Sequence, residues 1–524
     1  MFYFDGAYYW AGWIYLWGDW QMHIPIILNF AYRPFPLPSH PLLWGEPFRY
    51  HFAADMISGF LMKLGLSLQY ATYFPSVVCS ILLVITVYYF FFAIYKKKLT
   101  AMISSLLFFF NGGLGLFIYF YQHIIQKNLL SSSLSPIEFT KLPSYGIEWI
   151  NIWTSSFIPQ RPILLGAPLT ILTLILLWKI HSEGIQKNSK WLLILSGILT
   201  GLMPIIQIHS FFVIHLVAGF VFLILLIKKG LKGLPPLLFF YIPSLIVAAC
   251  IFWYFFDGFP QSSYLFSFHW NGISSITSFA HFWILNAGVM FFLIPYAFIK
   301  SNTQLKLFYV PFLLLFILTN VFLFQGTYLD NKFLLYWYLL SAGIAGNVLT
   351  KMFSVNNKKY MHLSILLLYL SIGSGFMDCV NLFNHDRQKH RLFSYDLLQF
   401  DKHVRSLTQP NDVFLTAPAN TWLGMTLGRQ IVMTWEDWLT SHGIHTDQRK
   451  KDIEDIYTNK TNTNELLKRY AIDYIILSPV ERQLYAIDEA YFHHIGPPIF
   501  QYDSYEIYDV RQARAQKTTA QTSE

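Results

Sequence analysis

Apolar segments long enough to cross a lipid bilayer dominate this sequence. A membrane-spanning helix needs about 20 mostly apolar residues. Only 13% of the 524 residues are charged, against about 25% in soluble proteins. These features predict an α-helical polytopic membrane protein and exclude a disordered chain or an ordinary soluble enzyme. About ten segments qualify as spans: 74–94, 101–121, 162–180, 191–209, 211–228, 235–256, 279–299, 305–324, 333–353 and 361–379.

The charge changes sign near residue 395, where the apolar segments also stop. Residues 1–394 hold 24 basic and 11 acidic side chains, whereas 395–524 hold 13 and 18. We therefore predict a membrane domain at 1–394, with an N-terminal outer loop, and a small α/β soluble domain at 395–510. A disordered tail is expected at 511–524. Within the α/β domain, strands are expected at 412–418, 429–435, 473–479 and 505–510, and helices around 447–458 and 463–471.

The lysines lie mostly in alternate connections between the apolar segments. The excess of basic residues therefore indicates how the chain is oriented in the membrane and does not indicate nucleic-acid binding. The positive-inside rule assigns these connections to the cytoplasm. The other connections then lie outside the cytoplasm, as in a bacterial inner-membrane protein. They are residues 1–73, the loops 122–161 and 257–278, the turn 325–332 and the α/β domain. The lysines in question are Lys96, Lys97, Lys98, Lys179, Lys187, Lys190, Lys228, Lys229, Lys232, Lys300, Lys306, Lys351, Lys358 and Lys359.

The N-terminal outer loop concentrates candidate catalytic side chains. Asp19 and His23 are four residues apart, on one face if the stretch is helical. Arg49, His51 and Asp55 follow just ahead of an amphipathic stretch at 56–68. A partly desolvated carboxylate can act as a general base toward a hydroxyl, although Asp19 could instead cap a helix. A second carboxylate or a histidine can hold a divalent cation, but no tight metal-ligand spacing is visible, so a metal is left undecided.

Two later outer segments carry candidate phosphate-binding residues. Gln160 and Arg161 stand at the entry of an apolar helix, where arginine either snorkels as an anchor or donates to a lipid-linked phosphate. In the turn TYLDNKF, Lys332 either pairs with Asp330 or meets a phosphate.

Aromatic residues crowd into the first 44 positions and favour sugar binding, although Trp and Tyr also prefer bilayer interfaces. The crowded residues are Tyr8, Tyr9, Trp10, Trp13, Trp17, Trp20 and Trp44.

Taken together, these segments resemble the GT-C superfamily of membrane glycosyltransferases, which use polyprenyl-phosphate-linked sugars. The resemblance rests on GDWQMH, PFRYHFAAD, WINIW…PQRPILLGAPL, LDNKFLLYW and the stretch TLGRQIVMTWEDWLTSHGI…LLKRYAIDYIILSPVER. It implies inverting transfer to a glycan, lipid or protein acceptor at the outer face, in glycan biosynthesis of the cell envelope. It also implies that an acidic residue of the first outer loop is the catalytic base or helps to coordinate a metal. Asp19 matches that position, Asp55 is the second candidate, and Arg161 and Lys332 are candidates for the lipid phosphate.

One departure from the superfamily pattern is visible at the N-terminus. Members normally have a complete first transmembrane helix before the catalytic loop, whereas only 18 residues precede Asp19 here. Two other functions stay open: an O-antigen polymerase or ligase, which relies on arginines in large central loops, and a transporter of lipid-linked glycans. A transporter would place its important ionisable residues at mid-span.

Overall fold

A computed structural model describes residues 2–13, 16–34, 39–125, 138–186, 189–256, 267–268, 275–323, 331–383, 389–419, 422–441 and 443–515. The chain forms two compact units. The first unit contains residues 1–75, 252–263 and 389–524, and the second contains 76–251 and 264–388. The first unit therefore adds the N-terminal 75 residues to the predicted α/β domain, because N-terminal strands pair with a strand near residue 392.

Fourteen α-helices of the described residues precede the C-terminal region. They are α1 (Leu16–Tyr32), α2 (Ala53–Lys63), α3 (Leu68–Tyr95), α4 (Lys98–Phe109), α5 (Gly115–Ile125), α6 (Arg161–Glu183), α7 (Ser189–Ile206), α8 (Ile208–Lys229), α9 (Leu234–Phe255), α10 (Ile276–Ala287), α11 (Met290–Lys300), α12 (Thr303–Val321), α13 (Asn331–Ser354) and α14 (Lys358–Asn381).

The predicted polytopic helical architecture is confirmed, and each of the ten predicted spans corresponds to a helix or a broken pair of helices. By length and composition, the described residues contain seven helical stretches that could cross a membrane, one of which, Ile208–Phe255, includes both α8 and α9. The pair α10 and α11 is bent by 96° and would make an eighth. The segment predicted at 101–121 is interrupted between α4 and α5, where the sequence NGGL at 111–114 is not helical.

The C-terminal region is α/β, as predicted. Its helices are α15 (Tyr395–Leu407), α16 (Trp422–Thr426), α17 (Glu436–Ser441), α18 (Asp447–Tyr457), α19 (Thr463–Arg469), α20 (Pro479–Leu484), α21 (Glu489–Ile495) and α22 (Arg511–Ala515). The strands that the structure describes, over the whole chain, are β1 (Phe2–Phe4), β2 (Tyr8–Ala11), β3 (Ser39–His40), β4 (Leu43–Pro47), β5 (Ser267–Phe268), β6 (Phe322–Leu323), β7 (His390–Ser394), β8 (Val413–Leu415), β9 (Gln430–Ile431), β10 (Tyr474–Leu477), β11 (Phe500–Tyr502) and β12 (Tyr505–Asp509).

A five-stranded sheet in the order β11-β12-β10-β8-β9 forms the centre of this region. Strands β8, β9 and β10 are parallel, and β12 pairs antiparallel with β10. The four residues of β10 are all buried, as expected for a strand covered on both faces. The expected tail begins with α22, whose Arg514 pairs with Asp473 at 2.8 Å. Residues 516–524 lie outside the described residues.

A second sheet joins the N-terminal strands to a strand that precedes the α/β region. Strands β1 and β2 form an antiparallel hairpin, and β2 pairs antiparallel with β7. Tyr9 stacks on Phe393 across this pairing with ring centroids 4.9 Å apart. Tyr9, Trp13 and Trp20 are buried and form part of the first unit's core, whereas Trp17 is exposed.

Asp401 of α15 makes the stability of the first unit depend on pH. Its side chain is fully buried, and burial raises its pKa to about 7, although Arg405 and Thr426 lower it in part. The folded chain therefore holds an extra proton between about pH 4 and pH 7, so stability falls as the pH rises through this window. We expect Asp401→Asn to remove this pH-dependent loss of stability. At pH 8 its free energy of unfolding should exceed that of the wild type by up to about 4 kcal/mol.

The measurement is the thermal unfolding midpoint of the full chain in detergent from pH 5 to pH 8. Replacement of Asp396, an exposed carboxylate on the same helix, by Asn is the control, and its pH profile should run parallel to that of the wild type. Parallel pH profiles for Asp401→Asn and the wild type would contradict the prediction.

Candidate functional site

The candidate site begins with close packing between α1 and α2. A Cβ atom added to Gly59 of α2 would collide with the Cβ atom of Phe30 and lie 2.8 Å from the carbonyl oxygen of Ile27. Glycine at this position thus allows the two helix backbones to approach closely. Asp55 and Ser58 are fully buried on α2, and this approach holds Asp55 against α1.

His23 and Asp55 form a buried pair between these helices. The Nδ1 atom of His23 lies 2.7 Å from Oδ2 of Asp55, and the two side chains are 3% and 0% exposed. When Nδ1 carries a hydrogen it donates a hydrogen bond to this carboxylate, which fixes the ring's tautomer and orientation. The indole of Trp20 stands edge-on to the imidazole, with ring centroids 6.1 Å apart. The structure therefore brings together two residues that lie 32 positions apart in the sequence.

Asp19 lies one turn before His23 on α1, and the helical periodicity places both on one face. Its side chain is half-buried. Since α1 begins at Leu16, Asp19 is inside the first turn and beyond the N-cap position. A carboxylate in the first turn is stabilised by the partial positive charge of the helix N-terminus. Asp19 is therefore a partly accessible carboxylate at the start of α1.

Aromatic rings that the sequence analysis did not single out lie beside this first turn. Trp435 approaches α1 so closely that a Cβ atom on Gly18 would lie 3.8 Å from its Cη2 atom. Trp435 has a φ of +50°, which is strained for a bulky side chain. Such strain persists only where the surrounding structure imposes it, and it concentrates at functional sites.

A continuous row of rings extends from Trp435. The ring of Trp438 is centred 6.4 Å from that of Trp435 and 5.7 Å from that of Tyr50. His51 stacks on Tyr50 with centroids 4.0 Å apart and planes 24° apart. All four side chains are half-buried, so they present ring surface at the exterior of the first unit. The sequence signal was TWEDW at 434–438, but nothing in one sequence indicates its proximity to Gly18.

Arg49 is exposed, and its Nε atom donates a hydrogen bond to the carbonyl oxygen of Phe256 at 3.1 Å. This bond uses one of its five N–H donors. The first unit therefore contains five of the predicted site residues. His23 and Asp55 are paired between α1 and α2, and Asp19 lies one turn before His23 on α1.

The remaining predicted residues belong to the second unit. Gln160 is the half-buried N-cap of α6, and Arg161 is the first residue of that helix and is 5% exposed. A snorkelling arginine keeps its charged head in water, whereas Arg161 is enclosed by protein. Lys332 is half-buried in the first turn of α13, and Asp330 lies outside the described residues.

Buried polar side chains anchor the loop that precedes α6. Asp378 of α14 accepts hydrogen bonds from the backbone N–H groups of Phe139 and Thr140, at 2.5 and 3.1 Å. Asn286 of α10 accepts two more, from the N–H groups of Glu148 and Trp149, each at 2.7 Å. The anchored loop leads into a five-residue π-helix, Trp153–Phe157, a rare element that often marks functional sites.

Glu138, in the same loop, is 3% exposed, and burial raises its pKa above the usual value. Sequence reasoning missed both Glu138 and Asp378. The only signal was that each is an isolated acidic residue next to an apolar segment.

Among the residues that the structure describes, no three or more His, Cys, Asp or Glu side chains group together as metal ligands would. Asp55 also occupies the Nδ1 atom of His23. Asp19, His23 and Asp55 thus do not by themselves provide a ligand set for a divalent cation.

Comparisons with known proteins find no match among family models or curated proteins, but they find similar solved structures. The archaeal oligosaccharyltransferase AglB from Archaeoglobus fulgidus, in complex with an inhibitory peptide and a dolichol-phosphate, is 12% identical, with a TM-score of 0.41. That match covers 89% of this chain, which spans 65% of the oligosaccharyltransferase. ArnT from Cupriavidus metallidurans in the apo state is 10% identical, with a TM-score of 0.46, over 95% of this chain and 94% of ArnT.

Both of these proteins are GT-C membrane glycosyltransferases, the superfamily that the sequence motifs resemble. Both TM-scores lie below 0.5, so the likeness by itself assigns neither a family nor an activity to this chain.

Proposed function

We propose that this chain is an integral-membrane, inverting glycosyltransferase that moves a sugar from a polyprenyl-phosphate-linked donor to an acceptor at the outer face of the membrane. The group formed by Asp19, His23 and Asp55 carries the proposal. It combines an accessible carboxylate with a histidine that a buried carboxylate orients at 2.7 Å. Such a group is suited to removing a proton from a hydroxyl.

The reaction is a direct displacement at the anomeric carbon. The carboxylate of Asp19 accepts the proton of the acceptor hydroxyl while the acceptor oxygen attacks the anomeric carbon. The bond from that carbon to the phosphate oxygen breaks, and polyprenyl phosphate leaves with the bonding electrons. A phosphate leaving group needs charge stabilisation more than protonation, and Arg161 and Lys332 are the proposed contacts for its charge.

His23, Arg49, His51 and Gln160 are the proposed positioning residues for the substrates. His23 cannot reorient freely because Asp55 holds Nδ1, so it presents Nε2 in a fixed direction. The row of rings from Trp435 to His51 offers flat apolar surfaces next to the first turn of α1. Aromatic faces of this kind suit the apolar face of a sugar ring, which supports a carbohydrate substrate.

The proposed orientation places this group outside the cytoplasm. It is supported by the lysines, which lie in alternate connections between the apolar helices. The donor would then be the lipid-linked sugar available at the outer face, and no nucleotide is needed.

The full chain, reconstituted in sealed vesicles, tests the proposal. The vesicles receive polyprenyl-phosphate-linked sugars labelled in the sugar, together with lipid and glycan acceptors. We expect label to move to an acceptor and free polyprenyl phosphate to appear, with inversion at the anomeric carbon. Movement of the intact donor across the bilayer without its consumption would instead identify a transporter. Joining of glycan chains with release of polyprenyl diphosphate would identify a polymerase or ligase.

A further inference from the structure

A basic cavity lies in the second unit, where α4 begins and α13 ends. Its volume is about 470 Å³. The lining residues are Lys97, Lys98, Leu99, Asn347, Thr350, Lys351, Ser354 and Val355. Three of the eight carry a positive charge and none carries a negative charge.

The cavity concentrates positive charge that its lining does not neutralise. Lys97, Lys98 and Lys351 are exposed, and ammonium groups around one concavity repel one another while focusing a positive potential there. The hydroxyls of the lining are already used within α13. Thr350 donates to the carbonyl oxygen of Gly346 at 2.7 Å, and Ser354 donates to that of Thr350 at 2.8 Å. The donors left for a ligand are therefore chiefly the lysines.

The start of α4 adds to this potential. Lys97 is its N-cap and makes no side-chain capping bond, so the N–H groups of the first turn have no side-chain acceptor at the cap. These groups carry the partial positive charge of the helix. Helix N-termini bind phosphate well for this reason.

The cavity's walls are preformed by close helix packing. A Cβ atom on Gly346 of α13 would lie only 3.0 Å from the backbone nitrogen of Ser104 of α4. Because this contact lies next to Asn347 of the lining, the helix backbones that frame the cavity are held in place without a ligand. A pre-organised site of this kind loses little entropy when it binds.

We propose that this cavity binds a phosphate-bearing anion, with the headgroup of an anionic phospholipid as its source. Its volume exceeds that of a single phosphate and suits a headgroup. Val355 lines it with 49% of its surface exposed, and Phe353 beside it is 40% exposed, so apolar surface adjoins the charges as an acyl chain requires. This site is separate from the proposed transferase chemistry, and it would hold lipid whether or not the chain transfers sugar.

The test measures phosphatidylglycerol binding to the full chain in detergent by native mass spectrometry, with phosphatidylcholine as the neutral comparison. The triple variant Lys97→Gln, Lys98→Gln, Lys351→Gln should bind phosphatidylglycerol on the order of 100-fold more weakly, at roughly fivefold per lysine. The matched control triple is Lys228→Gln, Lys229→Gln, Lys232→Gln, three exposed lysines outside the cavity lining. It should change binding by less than about threefold.

Single-lysine variants and a competition experiment complete the test. If the triple variant does not fold, single variants still test the site. Lys351→Gln alone should weaken phosphatidylglycerol binding about fivefold, whereas Lys351→Arg, which keeps the charge, should bind as the wild type does. Competition by inorganic phosphate would identify a free phosphate as the ligand, whereas binding that phosphate does not displace supports the lipid. Equal losses in the two triples, or equal binding of phosphatidylcholine, would overturn the proposal.

Discussion

Replacement of Asp19 by Asn is expected to abolish sugar transfer, with a loss of about 10²- to 10⁴-fold, while membrane insertion and yield stay unchanged. The amide keeps the size of the side chain but cannot accept the acceptor's proton. Asp19 is half-buried in the first turn of α1, so the substitution removes a charge without opening a cavity. The measurement is the rate of label transfer by the reconstituted variant.

Asp396→Asn is the matched control, because Asp396 is also an acidic residue in the first turn of a helix. Both variants lose the same interaction with a helix N-terminus, worth about 0.3–1 kcal/mol. If Asp19 only stabilises α1, the two variants will differ little from the wild type in rate and will shift the unfolding midpoint similarly. Wild-type transfer by Asp19→Asn would remove it from the catalytic role.

Replacement of Asp55 is expected to damage both activity and stability, and two variants separate these effects. Asp55→Ala removes one partner of a fully buried pair, which typically costs about 3–5 kcal/mol, and it leaves His23 without the carboxylate that orients it. Asp55→Asn keeps the shape and can still hydrogen-bond with His23. It should therefore fold with a smaller loss of stability and yet transfer sugar at least about tenfold more slowly.

The assay compares kcat, KM and the unfolding midpoint for both variants. Ser58→Ala is the control, since Ser58 is fully buried on α2 within one turn of Asp55. A role limited to holding α2 against α1 would lower the midpoint but leave kcat unchanged in the variant molecules that remain folded. An unchanged kcat in Asp55→Asn would thus exclude a part in the reaction.

The helical architecture was predictable because membrane spans follow a strong local rule. About 20 apolar residues suffice to recognise a span, and all ten predicted segments correspond to helices. The 96° bend between α10 and α11 was not predictable, because ITSFAHFWILNAGVMFFLIPYAFIK reads as one apolar stretch. The strands of the α/β region were found for a similar reason, since β8 and β10 are short apolar runs bounded by Asp, Pro and Ser.

The site was only partly predictable, because its contacts join residues that are remote in sequence. Helical spacing placed Asp19 and His23 on one face. Asp55 was a candidate because it is a second carboxylate in the N-terminal outer loop. The hydrogen bond between His23 and Asp55 depends on the glycine contact that brings α2 to α1. The approach of Trp435 to Gly18 depends on a left-handed backbone conformation, which no pattern of residue types indicates.

The pairing of β2 with β7 has a consequence for how the protein is made. The first strands leave the ribosome early, but their partner follows all the membrane helices, about 380 residues later, which takes roughly 20 to 80 s at ordinary rates of synthesis. During that time the aromatic N-terminal segment lacks the strand that covers Tyr9 in the finished chain. A nascent chain stalled before residue 390 would thus expose the apolar surface of β2 and have an incomplete first unit. Newly made molecules should depend on chaperones or on the membrane surface until β7 has been made and pairs with β2.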